Sequence, residues 1–129
     1  MKKIICIGNR FAYPDSFGME IYERYKEYLS PNIELIEGGI GGLNLALHFE
    51  SNEPILIVDH GSGFEKKLLH IEELSLEFVK EYNHDTAFYY LLKSLKQNNI
   101  WLYLSNDKHW REDMLDTYCA DISRSIEQL

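Results

Sequence analysis

Cysteine, proline and long apolar runs are all scarce in this sequence of 129 residues. The two cysteines, Cys6 and Cys119, lie in separate apolar segments without metal-type spacing, which argues against a disulfide framework or a zinc ribbon. No uncharged apolar stretch reaches the roughly 18 residues of a membrane-spanning helix. The apolar run after Met1 and its two lysines ends at Gly8, which is too short for a signal peptide. We therefore expect a cytoplasmic protein without membrane contact.

Basic residues are also few. The chain has 13 Lys and Arg against 21 Asp and Glu, for a formal net charge of −8. Nucleic-acid binding needs clustered cations that displace counterions from phosphates, so we expect no nucleic-acid partner. The length and the hydrophobic content of 45% suit one self-sufficient core. The sequence thus predicts a single domain over residues 1–129.

Short β-branched runs alternate with amphipathic segments along the chain. The apolar runs predict strands at Ile4–Ile7, Ile33–Glu37, Ile55–Val58 and Ile100–Leu104, with a possible edge strand at Lys66–Ile71. Helical spacing of apolar residues predicts helices at Phe17–Leu29, Leu43–Phe49, Phe88–Leu95 and Met114–Leu129. This alternation predicts an α/β fold: a three-layer α/β/α, Rossmann-like domain with a four- to five-stranded, mostly parallel sheet and helices on both faces. The dinucleotide-binding glycine fingerprint is missing.

Three polar side chains are candidates for a site at the carboxyl edge of this sheet, where ligands collect in open parallel sheets. Asp15 follows the first strand, Asp59 ends the third, and His84 stands at the amino-terminal edge of a predicted helix. Two carboxylates and an imidazole suit Zn²⁺, Ni²⁺ or Mn²⁺ with open coordination positions. From the residues alone a purely structural alternative stays open, in which Asp15 and His84 only cap helices and Asp59 only terminates a strand.

Four motifs between residues 4 and 95 occur in a specific order. They are the opening Gly8-Asn9, Pro14-Asp15 and Gly18, the glycine loop Gly38-Gly39-Ile40-Gly41-Gly42, the strand Leu56-Ile57-Val58-Asp59, and His84 before an apolar helix. In combination they resemble the hydrogenase maturation proteases, the endopeptidases that trim the carboxyl-terminal tail of the large subunit of nickel-iron hydrogenases. Each motif alone is common, so the resemblance depends on their combination.

The resemblance implies a site and a substrate. It implies that Asp15, Asp59 and His84 are the metal-contacting and catalytic side chains of an aspartic-type, nickel-dependent endopeptidase. It also implies that nickel belongs to the hydrogenase large-subunit precursor rather than being a permanent cofactor. The cation would polarise the scissile carbonyl or activate a water, with one carboxylate as general base. We expect the glycine loop and Asn9 to bind the substrate, through Gly38, Gly39, Gly41, Gly42 and Asn9. The alternatives are a tight strand-to-helix connection for the loop and a turn for Asn9.

The chain departs from the family pattern at two places. Pro14-Asp15 stands where the family usually has two adjacent acids, and residues 105–107 stand where many members have a glycine- and proline-containing loop. These departures motivate a rival hypothesis, a degenerate relative that binds the precursor without cutting it. Another rival is a small-ligand-binding module that holds an anion in the loop of residues 38–42.

Other reactive side chains are expected to be structural. Cys6 lies inside an apolar strand and Cys119 in the apolar stripe of the last helix, so neither is predicted to be a nucleophile. His60 follows Asp59 directly, and adjacent residues of a strand point to opposite faces. We therefore expect His60 on the surface or behind the site rather than among the ligands.

Overall fold

Five strands form one sheet in the computed structural model, which describes residues 1–40, 43–50, 52–61, 68–73, 92 and 99–129. In chain order the strands are β1 (Lys2–Ile7), β2 (Ile33–Gly39), β3 (Ile55–His60), β4 (Leu68–His70) and β5 (Ile100–Ser105). They lie in the order β2-β1-β3-β5-β4; the first four of these are parallel, and β4 is antiparallel to β5 at one edge. The prediction of an α/β fold with a mostly parallel sheet is confirmed.

Alternate residues of the central strands feed two separate cores. Ile4 and Cys6 of β1 face a core that is completed by helices α1 (Phe17–Tyr25) and α2 (Leu115–Glu127). We call this side the α1–α2 face. Ile5 and Ile7 face a second core, which the 3₁₀ helix Leu43–Phe49 and the helical residue Leu92 help to close. We call this side the opposite face. Because the central strands are buried on both sides, they carry continuous apolar runs instead of alternating ones.

The ends of the helices differ from the predictions. Helix α1 stops at Tyr25 instead of Leu29, because its last turn tightens: the amides of Glu27 and Tyr28 bond to carbonyls three residues back. The segment Leu43–Phe49 is a 3₁₀ helix. Met114 lies in a separate 3₁₀ turn before α2. Among the described residues, no helix has both the length and the apolar character to cross a bilayer.

Two predicted elements lie partly outside the described residues. Of the predicted edge strand, residues 68–70 are present as β4, at the sheet edge as expected, whereas residues 66 and 67 are not described. Of the predicted helix Phe88–Leu95, only Leu92 is described. It is helical and buried in the core of the opposite face.

Candidate functional site

The ends of β1 and β3 bring Asp15 and Asp59 to one edge of the sheet. These strands are parallel neighbours, with Cys6 opposite Val58, so Asp59 is the next residue of β3 toward the carboxyl edge. The loop after β1 turns back on the strand end, where the amide of Asn9 donates a hydrogen bond to Oδ2 of Asp15 at 3.1 Å. The two carboxylates therefore belong to the carboxyl ends of adjacent strands, the position where α/β folds gather ligands.

Two glycines allow α1 to begin directly against the end of β1. A Cβ atom on Gly18 would lie 1.8 Å from the carbonyl oxygen of Ile7, and one on Gly8 would lie 2.5 Å from the carbonyl oxygen of Asp15. No side chain fits at either position without a backbone shift. The spacing of Gly8, Asp15 and Gly18 therefore has a packing explanation, because it seats the Asp15 turn on the strand end.

Asn9 organises the turn that carries Asp15. Besides its amide bond to Asp15, its side-chain Oδ1 accepts a hydrogen bond from the amide of Phe11 at 3.0 Å, and its carbonyl accepts one from Ala12 at 3.1 Å. Such side-chain-to-backbone bonding is typical of an asparagine turn. These contacts give Asn9 a structural role, and its contact with substrate stays a prediction.

Asp59 is almost fully buried, with 1% of its surface exposed. Its Oδ1 accepts a hydrogen bond from the amide of His60 at 2.7 Å. By strand alternation its side chain shares the opposite face with Ile55 and Ile57. Leu92, from the predicted helix that His84 opens, packs on this same face.

His60 lies on the other side of the strand, as predicted. Its Nε2–H donates to the carbonyl oxygen of Asp107 at 2.8 Å, and its ring centroid is 6.3 Å from that of Phe17 on the α1–α2 face. Of the two expected positions, on the surface or behind the site, burial excludes the first, since only 6% of the residue is exposed. Burial follows because β3 extends through His60 and the loop after β5 covers the ring.

The third predicted ligand, His84, lies outside the described residues. Within the described ranges, no three His, Cys, Asp or Glu side chains are grouped closely enough to hold a metal ion. The structure thus brings the strand ends that carry Asp15 and Asp59 to one edge and does not describe His84. The three-ligand site stays a prediction.

The first half of the glycine loop has structural reasons for its glycines. Gly38 falls where the β1–β2 register shifts, and a Cβ there would lie 2.8 Å from the carbonyl of Cys6. Gly39 has a φ of 59°, which favours glycine. Its carbonyl accepts the amide of Gly8 at 2.7 Å. Gly41 and Gly42 lie outside the described residues, so substrate binding by this loop stays a prediction.

A contact between Tyr13 and Trp110 was not predicted. The Tyr13 hydroxyl donates to the carbonyl of Trp110 at 2.7 Å, while the Trp110 indole N–H donates to the carbonyl of Pro14 at 2.8 Å. The two ring centroids are 5.0 Å apart. We call this pair the Tyr13–Trp110 latch. It ties the loop after β5 to the Asp15 turn. Its partners are 97 positions apart, so no local sequence signal reveals it.

The two cysteines are unsuited to nucleophilic catalysis. Burial, reinforced by Cys119 and by the charge of Asp59, raises the pKa of Cys6 far above its ordinary value. Burial and the nearby Asp116 raise the pKa of Cys119 to about 12. Because the thiolate is the reactive form, both groups stay inert near neutral pH. The prediction that neither is a nucleophile agrees with this environment.

A separate cavity of about 480 Å³ lies beside α2. Its walls include Tyr103, Arg111, Asp121 and Arg124, but neither Asp15 nor Asp59. Two of its polar groups share one partner: the Tyr103 hydroxyl donates to Asp121, and Arg124 lies 3.4 Å from the same carboxylate. The cavity is therefore a feature distinct from the carboxyl edge.

Comparison with known proteins finds the fold among solved endopeptidases. No protein-family model and no curated protein matches the sequence. Among solved structures, an endopeptidase from Escherichia coli is similar with a TM-score of 0.75 and 18% identity, over 99% of this chain and 93% of that one. The hydrogenase maturating endopeptidase HybD from the same organism has a TM-score of 0.69 and 14% identity, over 98% and 92%.

An archaeal structure extends the likeness. The [NiFe] hydrogenase maturation protease HycI from Thermococcus kodakarensis has a TM-score of 0.63 and 16% identity, covering 98% of this chain and 90% of that one. At such identities a shared fold does not establish a shared activity. The likeness nevertheless spans nearly the whole of each molecule. The chain therefore has the fold of the hydrogenase maturation endopeptidases.

Proposed function

We propose that this protein is a cytoplasmic endopeptidase that removes the carboxyl-terminal extension of a nickel-iron hydrogenase large-subunit precursor and recognises nickel already inserted in that substrate. The observation that carries the proposal is the position of Asp15 and Asp59 at the carboxyl ends of adjacent strands, within the fold of hydrogenase maturation endopeptidases. The sequence motifs alone predict this position.

The environment of the two carboxylates suits a site for a cation carried by the substrate. Each carboxylate accepts a backbone N–H, Asp15 from Asn9 and Asp59 from His60, and these bonds orient the group. Two ionised carboxylates that converge on one ligand repel, and a divalent cation would relieve that repulsion. In this proposal His84 supplies a third ligand, and nickel in the precursor docks the tail at the sheet edge.

The chain's own residues would then act on the bound tail. Asp15 and Asp59 orient the nickel-containing end of the precursor, and one of them accepts the proton of the attacking water as general base. The carbonyl carbon of the scissile peptide gains the water oxygen, and the leaving amine takes up a proton. The Tyr13–Trp110 latch keeps the Asp15 turn in one position during these steps.

The decisive experiment mixes the purified protein with nickel-loaded and nickel-free precursor and reads the mass of the precursor. We expect trimming only of the nickel-loaded form. Asp59→Asn, Asp15→Asn and His84→Ala should each reduce trimming at least about a hundredfold, because each removes a group that acts on the reacting centre. Glu34→Gln is the matched control, since Glu34 is an exposed carboxylate at the amino end of β2, away from the carboxyl edge of the sheet.

Other outcomes would contradict the proposed site or favour a rival hypothesis. Trimming that survives all three substitutions would remove this site from the reaction. Binding of the nickel-loaded precursor without any trimming would identify a non-cleaving relative, as the Pro14-Asp15 departure suggests. A nucleotide or other small anion that raises the melting temperature, with no response to the precursor, would favour the ligand-binding module.

A further inference from the structure

Two strongly exposed apolar side chains stand at the same sheet edge as the candidate carboxylates. Phe11, in the loop after β1, is 95% exposed, and Ile40, directly after β2, is 77% exposed. Single exposed apolar residues are normal on protein surfaces. These two differ because β1 and β2 are neighbours, and the amide of Gly8, the residue after β1, donates to the carbonyl of Gly39, the last residue of β2, at 2.7 Å.

A chain of hydrogen bonds connects Phe11 to Asp15. The Asp15 carboxylate accepts a hydrogen bond from the backbone amide of Asn9, and the Asn9 side chain accepts one from the backbone amide of Phe11. The preceding residue, Arg10, turns away to pair with Glu37 at 2.8 Å. Phe11 is thus held outward by the same turn that orients a proposed metal ligand, and its ring has no substantial cover from the protein.

We infer that Phe11 and Ile40 form an apolar specificity surface that contacts apolar side chains of the precursor tail beside the bond that is cut. The inference rests on the proposed function. A peptidase holds an extended stretch of its substrate on both sides of the scissile bond, so surfaces that border the site contact neighbouring substrate residues. Exposed aromatic side chains are the usual anchors of such contacts, since they bury a large apolar area with little loss of side-chain entropy.

The test measures trimming of nickel-loaded precursor by Phe11→Ser and Ile40→Ser over a range of precursor concentrations. We expect KM to rise about tenfold in each variant with kcat unchanged, because the lost contact is made equally in the ground state and the transition state. Phe11→Leu and Ile40→Val should restore most of the affinity. Leu29→Ser is the matched control: Leu29 is 43% exposed and precedes β2, at the other edge of the sheet.

Substitutions in the precursor tail test whether the tail is what contacts Phe11 and Ile40. Precursor whose apolar tail residues next to the cut are replaced by serine should show a raised KM with the wild-type protein. Phe11→Ser should then add little, because both changes remove one contact. Fully additive effects of the two changes would overturn the inference.

The remaining outcomes separate this inference from the proposed function. If the wild-type protein trims no precursor, the proposed function fails. If it trims and both serine variants keep the wild-type KM, only the specificity surface fails.

A fall in kcat at unchanged KM would show that Phe11 merely shapes the Asp15 turn. A dimer in sedimentation that Phe11→Ser dissolves would assign the surface to a second copy of the chain. Either result overturns the inference.

Discussion

Single glycines control how closely the first helix approaches the first strand. Gly18 meets the Ile7 carbonyl and Gly8 meets the Asp15 carbonyl, so a methyl group at either position collides with backbone. Gly39 is different, because a Cβ there would contact nothing within 4 Å and only its φ of 59° disfavours a side chain. The energetic cost of a steric collision and the cost of a left-handed backbone conformation can therefore be measured separately in this one protein.

We expect Gly18→Ala to be far more damaging than Gly39→Ala. A backbone collision should lower the free energy of unfolding by about 3 kcal/mol, the upper end of the usual cost of overpacking, whereas a left-handed alanine costs about 1–2 kcal/mol. Urea denaturation of both variants measures the difference. Equal losses in the two variants would mean that α1 can move away from β1 without cost.

The elements around the site are tied by contacts between loops distant in sequence. The Tyr13–Trp110 latch connects the loop after β5 with the Asp15 turn. In the loop after β5, the carbonyl of Asp107 accepts a hydrogen bond from the His60 side chain of β3. Phe17, the first residue of α1, packs its ring on those of Trp110 and Tyr118. The carboxyl edge is therefore assembled from three segments that stabilise one another.

Trp110→Phe should loosen the Asp15 turn. It removes the indole N–H that bonds to the Pro14 carbonyl, at a cost of about 1 kcal/mol. Local opening should increase roughly fivefold. Hydrogen exchange of the Ser16 and Phe17 amides, which close this turn on Ala12 and Pro14, measures the opening.

Trp101→Phe is the control for the latch variant. Trp101 is a partly buried tryptophan on β5 whose ring contacts His70 on β4, two strands away from β1 and the Asp15 turn. It should leave the exchange of the Ser16 and Phe17 amides unchanged. Faster exchange in both variants would indicate a general loss of stability instead of a local latch.

For the molecule as a whole, the burial of the Cys119 thiol in the core makes the free energy of unfolding depend on pH in the alkaline range. The pKa of Cys119 rises from 9.0 to about 12 on folding, because its thiol is buried between α2 and the sheet. The native state keeps the proton that the unfolded chain loses above pH 9, so it binds more protons there. Stability from this group is complete below pH 9 and is lost as pH rises toward 12.

Removing the thiol should flatten that dependence. Between pH 9 and 11, the free energy of unfolding of the wild type should fall more steeply than that of Cys119→Ala, by up to about 1.4 kcal/mol per pH unit. Ile126→Val is the control, because it also truncates a buried side chain of α2 but titrates nothing. Parallel curves for Cys119→Ala and the wild type would contradict the shifted thiol.

Much of the architecture could be predicted because its causes are local. The apolar runs at Ile4 and Ile55 specify buried strands, and the spacing of Phe17, Ile21 and Tyr25 specifies one buried helix face. Boundaries were less predictable. The end of α1 depends on the tightened turn at Tyr28, where Tyr25 also bonds to Ser123 of α2 at 2.9 Å. The periodicity of α1 carries no information about that contact.

Apolar periodicity and the order of the elements along the chain were enough to predict the parallel α/β class, the unreactive cysteines and the positions of Asp15 and Asp59 near strand ends, because those signals are local. Packing between distant segments buries His60, joins Tyr13 to Trp110 across two loops, and leaves Phe11 and Ile40 exposed after neighbouring strands. Those features depend on which surfaces meet after the chain has packed. Residues 97 positions apart become partners only through that packing.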